Sequence, residues 1–311
     1  MLGSGSSIFA NVDAYEACLP FQTTLVALQP GQFRTRLTWM ELPHIRLMHA
    51  RETLPRIAYV SLPPDQVYLT FPTNRHTPLI HNGVSQQWGD VVLHSPGERF
   101  HQRTTGPSSW GAISIAPSAL QSYGRLLNGC ELALPVGDQC PHLHLLDSRE
   151  LLDLHRQATR LAETALDRLV HPEIIRALEN DLIVALMSCL TNGNVQAAPT
   201  ANRHQVAILM QLEDILSAMP YRLLQVPEIC RAIGVSAWVL QACCAQVLGI
   251  SAVRYVHLRR LRQTHQALLS AEGRAEAITE VISRYGFTDP GRFVMAYRRA
   301  FGEAPMLKPW H

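Results

Sequence analysis

Lysine is almost missing from this 311-residue chain: Lys308 is the one lysine among 27 basic residues. The glycine- and serine-rich run Gly3-Ser4-Gly5-Ser6-Ser7 therefore has no lysine behind it and no strand pattern before it. Both are needed for a phosphate-cradling loop, so the run reads as a flexible tail. No apolar stretch reaches 18 residues, so no membrane span is expected. The first residues show no basic segment followed by an apolar block, and no secretion leader is expected. The seven cysteines include no CxxC pair, so no disulfide framework or thiol-based metal site is indicated. Cys243-Cys244 read as small buried residues. Fourteen histidines are present, but His142-Leu-His144 is the one HxH and no glycine or glutamate follows it at metal-site spacing. His76, His81, His94 and His101 read as scattered across turns. No metal and no cofactor are expected. No Ser/His/Asp or Cys/His arrangement appears, so no catalytic residues are assigned and the chain is not read as an enzyme.

What is present lies near the end. Ile278, Val281 and Ile282 recur at helical spacing, and Tyr285-Gly286-Phe287 stops the pattern. Thr288 or Asp289 caps a second helix with Pro290 in its first turn. Phe293, Tyr297, Ala300 and Phe301 line one face of it, and Phe301-Gly302 closes it. Val226, Ile229, Cys230 and Ile233 repeat the plan upstream, with Gly234-Val235-Ser236 as the turn and Ala237 to Leu248 as the second helix. Two helices joined by a short glycine-containing turn form a helix-turn-helix, whose second helix enters the major groove. The segment from Ser251 to Ser270 joins the two units. It is about 30 Å of helix at 1.5 Å per residue, close to the spacing of about 34 Å between successive grooves on one DNA face. Leu258, Leu261, Thr264, His265 and Leu268 form its expected buried stripe.

Charge agrees with this division. Residues 203–311 carry 13 Lys+Arg against 8 Asp+Glu, whereas residues 1–202 carry 14 against 17. A basic C-terminal module on a mildly acidic partner suits phosphate binding by one domain.

The C-terminal residues resemble the AraC/XylS family of bacterial transcription regulators. The resemblance is carried by Ile233-Gly234-Val235-Ser236, Arg260-Leu261-Arg262, Ala267-Leu268-Leu269, Tyr285-Gly286-Phe287, Gly291-Arg292-Phe293, Tyr297-Arg298 and Phe301-Gly302-Glu303-Ala304-Pro305. The wording of the second unit is closest to the branch that includes the ethanolamine-operon regulator. The resemblance implies DNA contacts from Ser236, Ala237, Trp238, Gln241 and Ala242 in the first unit. In the second it implies Thr288, Asp289, Gly291, Arg292, Arg298 and Arg299. Trp238 and Ala242 stand where relatives usually carry arginine, so the first reader has no charge. It offers Gln241 to adenine, and Trp238 or Ala242 to a thymine methyl. The second unit is then expected to supply more of the polar contacts. The closing Met306–His311 is short and proline-broken, so the last helix of the family is expected to be stunted.

Upstream, residues 1–30 read as irregular and 31–116 as β-rich. Short apolar runs at Thr35–Met40, Ile45–Met48, Ile57–Val60, Val67–Phe71, Val91–Leu93 and Ala112–Ile115 suggest an antiparallel sandwich or barrel. The region is similar in kind to the family's cupin-like effector domain. Residues 118–191 read as helical: a short helix over Ser118–Leu127, a long one capped by Ser148 and another beginning at Pro172. The long pair either packs on the β domain or builds a dimer interface. The expected architecture is α+β, with an effector and dimerisation domain over 1–191 and a linker over 192–203. An all-α double helix-turn-helix domain fills 204–311.

The function expected is a sequence-specific, ligand-responsive transcription activator. Its expected partners are double-stranded DNA, RNA polymerase, a small-molecule effector and a second copy of itself, with no membrane. The expected location is the cytoplasm, on the nucleoid. The alternatives are a repressor or ligand-independent regulator, and an enzyme with a DNA-binding appendage.

Overall fold

The structure, a computed structural model, describes residues 3–129, 131–132, 142–143, 145–192, 200–219, 224–270, 278–302 and 304–305. The N-terminal half runs β1 (Gly5–Phe9), α1 (Val12–Ala17), β2 (Gln22–Ala27), β3 (Thr35–Glu41), β4 (Ile45–Glu52), β5 (Arg56–Ser61) and β6 (Val67–Pro72). It continues with β7 (Leu79–His81), β8 (Val84–Gln86), β9 (Val91–His94), β10 (Arg99–Arg103), β11 (Ser108–Ile115), α2 (Pro117–Asn128), β12 (His142–Leu143), α3 (Leu145–Thr164) and α4 (Pro172–Asn192). A seven-stranded sheet ordered β1-β3-β4-β11-β6-β9-β12 faces a five-stranded sheet ordered β2-β5-β10-β7-β8. All the strand pairs in both are antiparallel.

Side chains alternate between faces along a strand, and the large sheet uses both faces. On β4, Met48 and Ala50 turn inward to join Tyr15, Ala58, Val60, Phe100 and Trp110 between the sheets. Ile45 and Leu47 turn outward, with Leu69, Phe71, Val91 and Ile113, beneath α3 and α4. The helical pair therefore packs on the β domain. Leu182, Ile183, Leu186 and Cys189 of α4 are buried in that layer.

Three expectations need correction. The described residues before 30 are not irregular: β1 pairs with β3 and β2 pairs with β5. Gly5 belongs to β1 and lies under the Trp39 ring, where a Cβ would come within 2.9 Å of it. The small residues there serve close packing, not flexibility. Ser148 does not cap the long helix, which starts at Leu145; its Oγ donates to the Gly89 carbonyl at 2.7 Å and ties α3 to the sheet. The same helix stops at Thr164, and a 3₁₀ turn over Leu166–Val170 leads into α4.

The C-terminal half holds α5 (Thr200–Ala218), α6 (Val226–Ile233), α7 (Ala237–Cys243), α8 (Ala252–Ser270), α9 (Ile278–Arg284) and α10 (Pro290–Phe301). Of the expected linker, 193–199 lie outside the described residues, and 200–203 belong to α5. His144 and the closing 306–311 also lie outside the described residues. No single helix among the described residues is long and apolar enough to cross a membrane.

Candidate nucleic-acid interface

The first unit is α6, a turn and α7. Gln225 and Glu228 form a reciprocal capping box at the start of α6. Gly234 ends it at φ 81°, a left-handed position that a side chain would strain. Ser236 Oγ then accepts from the Val239 backbone N–H at 3.2 Å and caps α7. The helix does not continue regularly to Leu248, because Cys244–Leu248 widens into a π-helical turn before Gly249. Leu240, Cys243, Cys244 and Val247 are buried against α5, α6 and the start of α8. Burial pushes both thiols up, Cys244 to about 12, so they are inert packing groups.

The second unit is α9, a turn and α10. Asp289 rather than Thr288 is the cap, its Oδ1 accepting from the Arg292 backbone N–H at 3.0 Å. Val281, Ile282, Tyr285, Phe293 and Tyr297 are buried with Leu261 and Leu268 of α8. One rod therefore carries both units, its first turns in the core of one and its last turns in the core of the other. At 1.5 Å per residue it is about 28 Å long.

The outer faces are open. Trp238 is 78% exposed although it is a large aromatic ring, and no core explains it. Ala237, Thr288, Gly291, Arg292, Arg298 and Arg299 are exposed, and Ala242 is half-buried. Gln241 is committed elsewhere: its Oε1 accepts from the Ala252 backbone N–H at 3.1 Å, bracing the start of α8.

A set of functional residues that sequence reasoning missed lies behind this face. Of the arginines of α8, Arg254 and Arg262 reach the N-terminal domain, Arg259 meets Glu213 of α5, and Arg260 donates to the Leu224 carbonyl. Glu213 of α5 is fully buried and is met by His101 Nε2 of β10 at 3.1 Å, by Arg259 at 2.6 Å and by the Tyr255 hydroxyl. Burial alone would raise the Glu213 carboxyl, but Arg259 and His101 outweigh it and hold the group down at about 2. A second cluster joins Arg262 to Asp13 at 2.7 Å and to Glu16 at 2.5 Å, with His265 Nε2 on Asp13 at 2.8 Å. Around these, Arg103 donates to the Val247 carbonyl, Arg254 donates to the Leu28 carbonyl, and Ile57 sits in the core of the first unit. The two halves are thus joined through a polar seam, while Trp238, Arg292, Arg298 and Arg299 stay exposed. No local sequence pattern encodes the cross-domain pairs, which join residues more than 100 positions apart.

In the N-terminal domain the space between the sheets is nearly filled, with a cavity of about 30 Å³. Glu52 occupies it, accepting from Arg56 at 2.9 Å, Trp110 at 3.0 Å and Tyr15 at 3.1 Å. A cavity of about 670 Å³ lies instead between the outer face of the large sheet and α3. His49 is at its base, bonded to Thr73 at 3.1 Å and Ser109 at 3.0 Å, and Arg51, Arg156, Arg160 and Trp88 line it. The histidines also depart from expectation. His81, His94 and His101 lie on β7, β9 and β10 rather than in turns, and His81 and His94 converge with Glu98.

Residues 229–306 match the family model described as a helix-turn-helix domain. A probable thc operon regulatory protein from Rhodococcus erythropolis is 30% identical over 158 residues, which is 48% of this chain and 47% of that protein. The chain thus spans about half the length of the curated relative it matches. Among solved structures, the AraC-like transcriptional activator CuxR is similar at 13% identity, over 84% of this chain and 94% of that one, with a TM-score of 0.43. ToxT from Vibrio cholerae is similar at 10% identity, over 92% and 96%, with a TM-score of 0.29. The matched residues 229–306 hold both units, from within α6 to the end of α10, and the rod between them, so this chain carries a helix-turn-helix domain with two such units.

Proposed function

We propose that this protein is a sequence-specific DNA-binding transcription regulator that reads two consecutive major grooves with α7 and α10. The observation that carries the reading is the exposed pair of reader faces, Trp238 on one helix and Arg292, Arg298 and Arg299 on the other, built on a single helical rod. Arginine on the second reader suits guanine edges and phosphates; tryptophan on the first suits a thymine methyl. The DNA-contact set is then Ser236, Ala237, Trp238, Ala242, Thr288, Asp289, Gly291, Arg292, Arg298 and Arg299, with Gln241 acting as a brace.

The reading extends to activation through RNA polymerase, in the cytoplasm at the nucleoid, with residues 1–191 as the effector and dimerisation half and 204–311 as the reader. The effector is placed in the cavity between the large sheet and α3, because the inter-sheet space is filled by Glu52, Arg56 and aromatic rings. Its lining pairs Arg51 with Glu163 and Arg156 with Asp153 beside Arg160, His49 and Trp88, which suits a small polar molecule with an apolar or aromatic body. Effector binding shifts DNA affinity by favouring one arrangement of the two halves over another. The test is genome-wide mapping of bound DNA followed by anisotropy titration of the recovered site. Specific binding supports the reading; equal affinity for the recovered site and unrelated duplex overturns it.

A further inference from the structure

His81 of β7, His94 of β9 and Glu98 of the β9–β10 turn are all buried, and each brings one donor atom within 4.8 Å of the other two. The trio spans the two sheets, since β9 belongs to the larger and β7 to the smaller. Glu98 Oε1 lies 3.2 Å from His94 Nδ1 and 3.9 Å from His81 Nε2. Donors held at about 2.0–2.2 Å around a tetrahedral ion sit roughly 3.3–3.6 Å apart, so the two Glu98–histidine separations bracket that spacing, the shorter of them being a hydrogen bond.

The surroundings fix the orientation of each donor. His94 Nε2 is bonded to Thr70 Oγ1 at 2.7 Å, and its ring stacks on Phe100 with centroids 4.4 Å apart. The other carboxylate oxygen, Glu98 Oε2, accepts from the Ser95 backbone N–H at 2.9 Å, while Oε1 faces the imidazoles. Partners that hold the far side of a ligand are the usual outer layer of a metal site. Two imidazoles and one carboxylate suit zinc-class divalent ions, whereas magnesium and calcium prefer oxygen alone.

The same residues lead directly to the reader domain. Asn82 follows His81 and adopts φ 47°, the one positive φ of a non-glycine among the described residues. It is held there by His101, with its N–H donating to the His101 carbonyl at 2.8 Å and its Oδ1 accepting from the His101 N–H at 2.9 Å. His101 in turn contacts Glu213 and Tyr255. Gly83, next in line, lies against the end of the first reader, where an added Cβ would come within 3.3 Å of the Gln246 carbonyl and Val247. Asn82 Nδ2, 3.3 Å from His81 Nε2, is the group an ion would displace from that lone pair.

We propose that His81, His94 and Glu98 bind one divalent transition-metal ion of the zinc class, and that the ion pins the His81-Asn82-Gly83 turn against the helix-turn-helix domain. Isothermal titration of EDTA-treated full-length protein with zinc chloride tests the site. One ion per chain is expected, with at least a tenfold loss of affinity in Glu98→Gln and in His81→Gln. Equal affinity and stoichiometry in the wild type and both variants places the zinc on other histidines and overturns the site. Should a variant fail to fold, cobalt(II) absorption of the wild type decides. A mixed nitrogen–oxygen ligand field of low coordination number supports the site, and a spectrum unchanged from the aquated ion overturns it. Hydrogen exchange tests the coupling: zinc should slow the amides of Leu79–Gln86 and Ala237–Leu248, and unchanged rates in zinc-loaded protein overturn it. DNA titrations in EDTA stand apart from these readouts, so failure of the metal site and failure of the DNA-binding reading are distinguishable.

Discussion

His101 on β10 and Glu213 on α5 meet at 3.1 Å, Nε2 to Oε1, across the seam between the β domain and the reader domain. Both side chains are almost fully buried, and Arg259 closes on the same carboxylate from α8. Glu213→Gln leaves the Arg259 guanidinium buried without its counter-charge. Breaking a buried pair on one side costs about 3–5 kcal/mol, and denaturant unfolding should register a loss of that size. The nearby Arg99–Asp214 pair is a built-in control, since both side chains are more than a third exposed. Asp214→Asn should cost no more than about 1 kcal/mol. Equal losses for the two variants would remove Glu213 as the centre of the seam.

Acid should weaken the protein in two stages. His155 is held down at about 3 and His49 at about 4, in both cases by burial first, with the His49 ring beside His155 and the Arg51 guanidinium beside His49 second. A histidine with a depressed folded pKa binds fewer protons than its unfolded form, so stability falls as pH drops below about 6.5 and keeps falling to about 3. Glu213 adds the second stage. Its folded pKa of about 2 lies below the unfolded value of about 4.5, so its contribution is complete above pH 4.5 and is lost as pH falls toward 2. Urea midpoints measured from pH 7.5 to 3 should decline without a plateau. A flat profile between pH 6.5 and 4.5 would contradict the neutral burial of His49 and His155.

The reader residues separate binding from folding. Arg292 is exposed and only loosely paired with Asp289 at 3.4 Å, so Arg292→Ala should leave unfolding within about 0.5 kcal/mol of wild type. If Arg292 reads a base, the same change should weaken specific DNA binding by about 1–3 kcal/mol. Trp238→Ala should behave alike, with binding weakened and stability kept. Leu240→Ala, two residues on and fully buried, should cost about 2–5 kcal/mol of stability. Unchanged anisotropy titrations would remove Arg292 or Trp238 from the interface.

The two helix-turn-helix units were legible because their signals are local. Gly234, Ser236, Gly286, Asp289 and Gly302 mark turns and caps within a few residues of the helices they end or begin. Trp238 was legible as a departure from the resembled family, where arginine usually stands. The seam was not legible, because Asp13, Glu16 and His101 lie far in sequence from Arg262, His265 and Glu213, and a charged residue on a helix gives no sign of burial. Arg262 entered the sequence reading only as part of the Arg260-Leu261-Arg262 motif, and both it and Arg259 are buried. Gln241 looked like a base reader, and it caps the next helix. The His81–His94–Glu98 cluster was not legible because His81 and His94, read as scattered across turns, lie on strands of different sheets that only tertiary packing brings together.

Gly83 tests whether the β domain truly bears on the first reader. It sits at φ 85°, so any side chain there strains the backbone, by about 1–2 kcal/mol per residue. Gly129 ends α2 at φ 66° and an added Cβ meets nothing within 4 Å, so Gly129→Ala reports that conformational cost alone. At Gly83 the same methyl also meets the Gln246 carbonyl and Val247 at 3.3 Å, both of them backbone atoms that yield poorly. Gly83→Ala should therefore cost more than Gly129→Ala. It should also raise amide exchange in Cys244–Leu248, where the reader presses on the turn. If the two alanine variants lose equal stability and exchange there is unchanged, the contact between β7–β8 and the first helix-turn-helix unit is absent in solution.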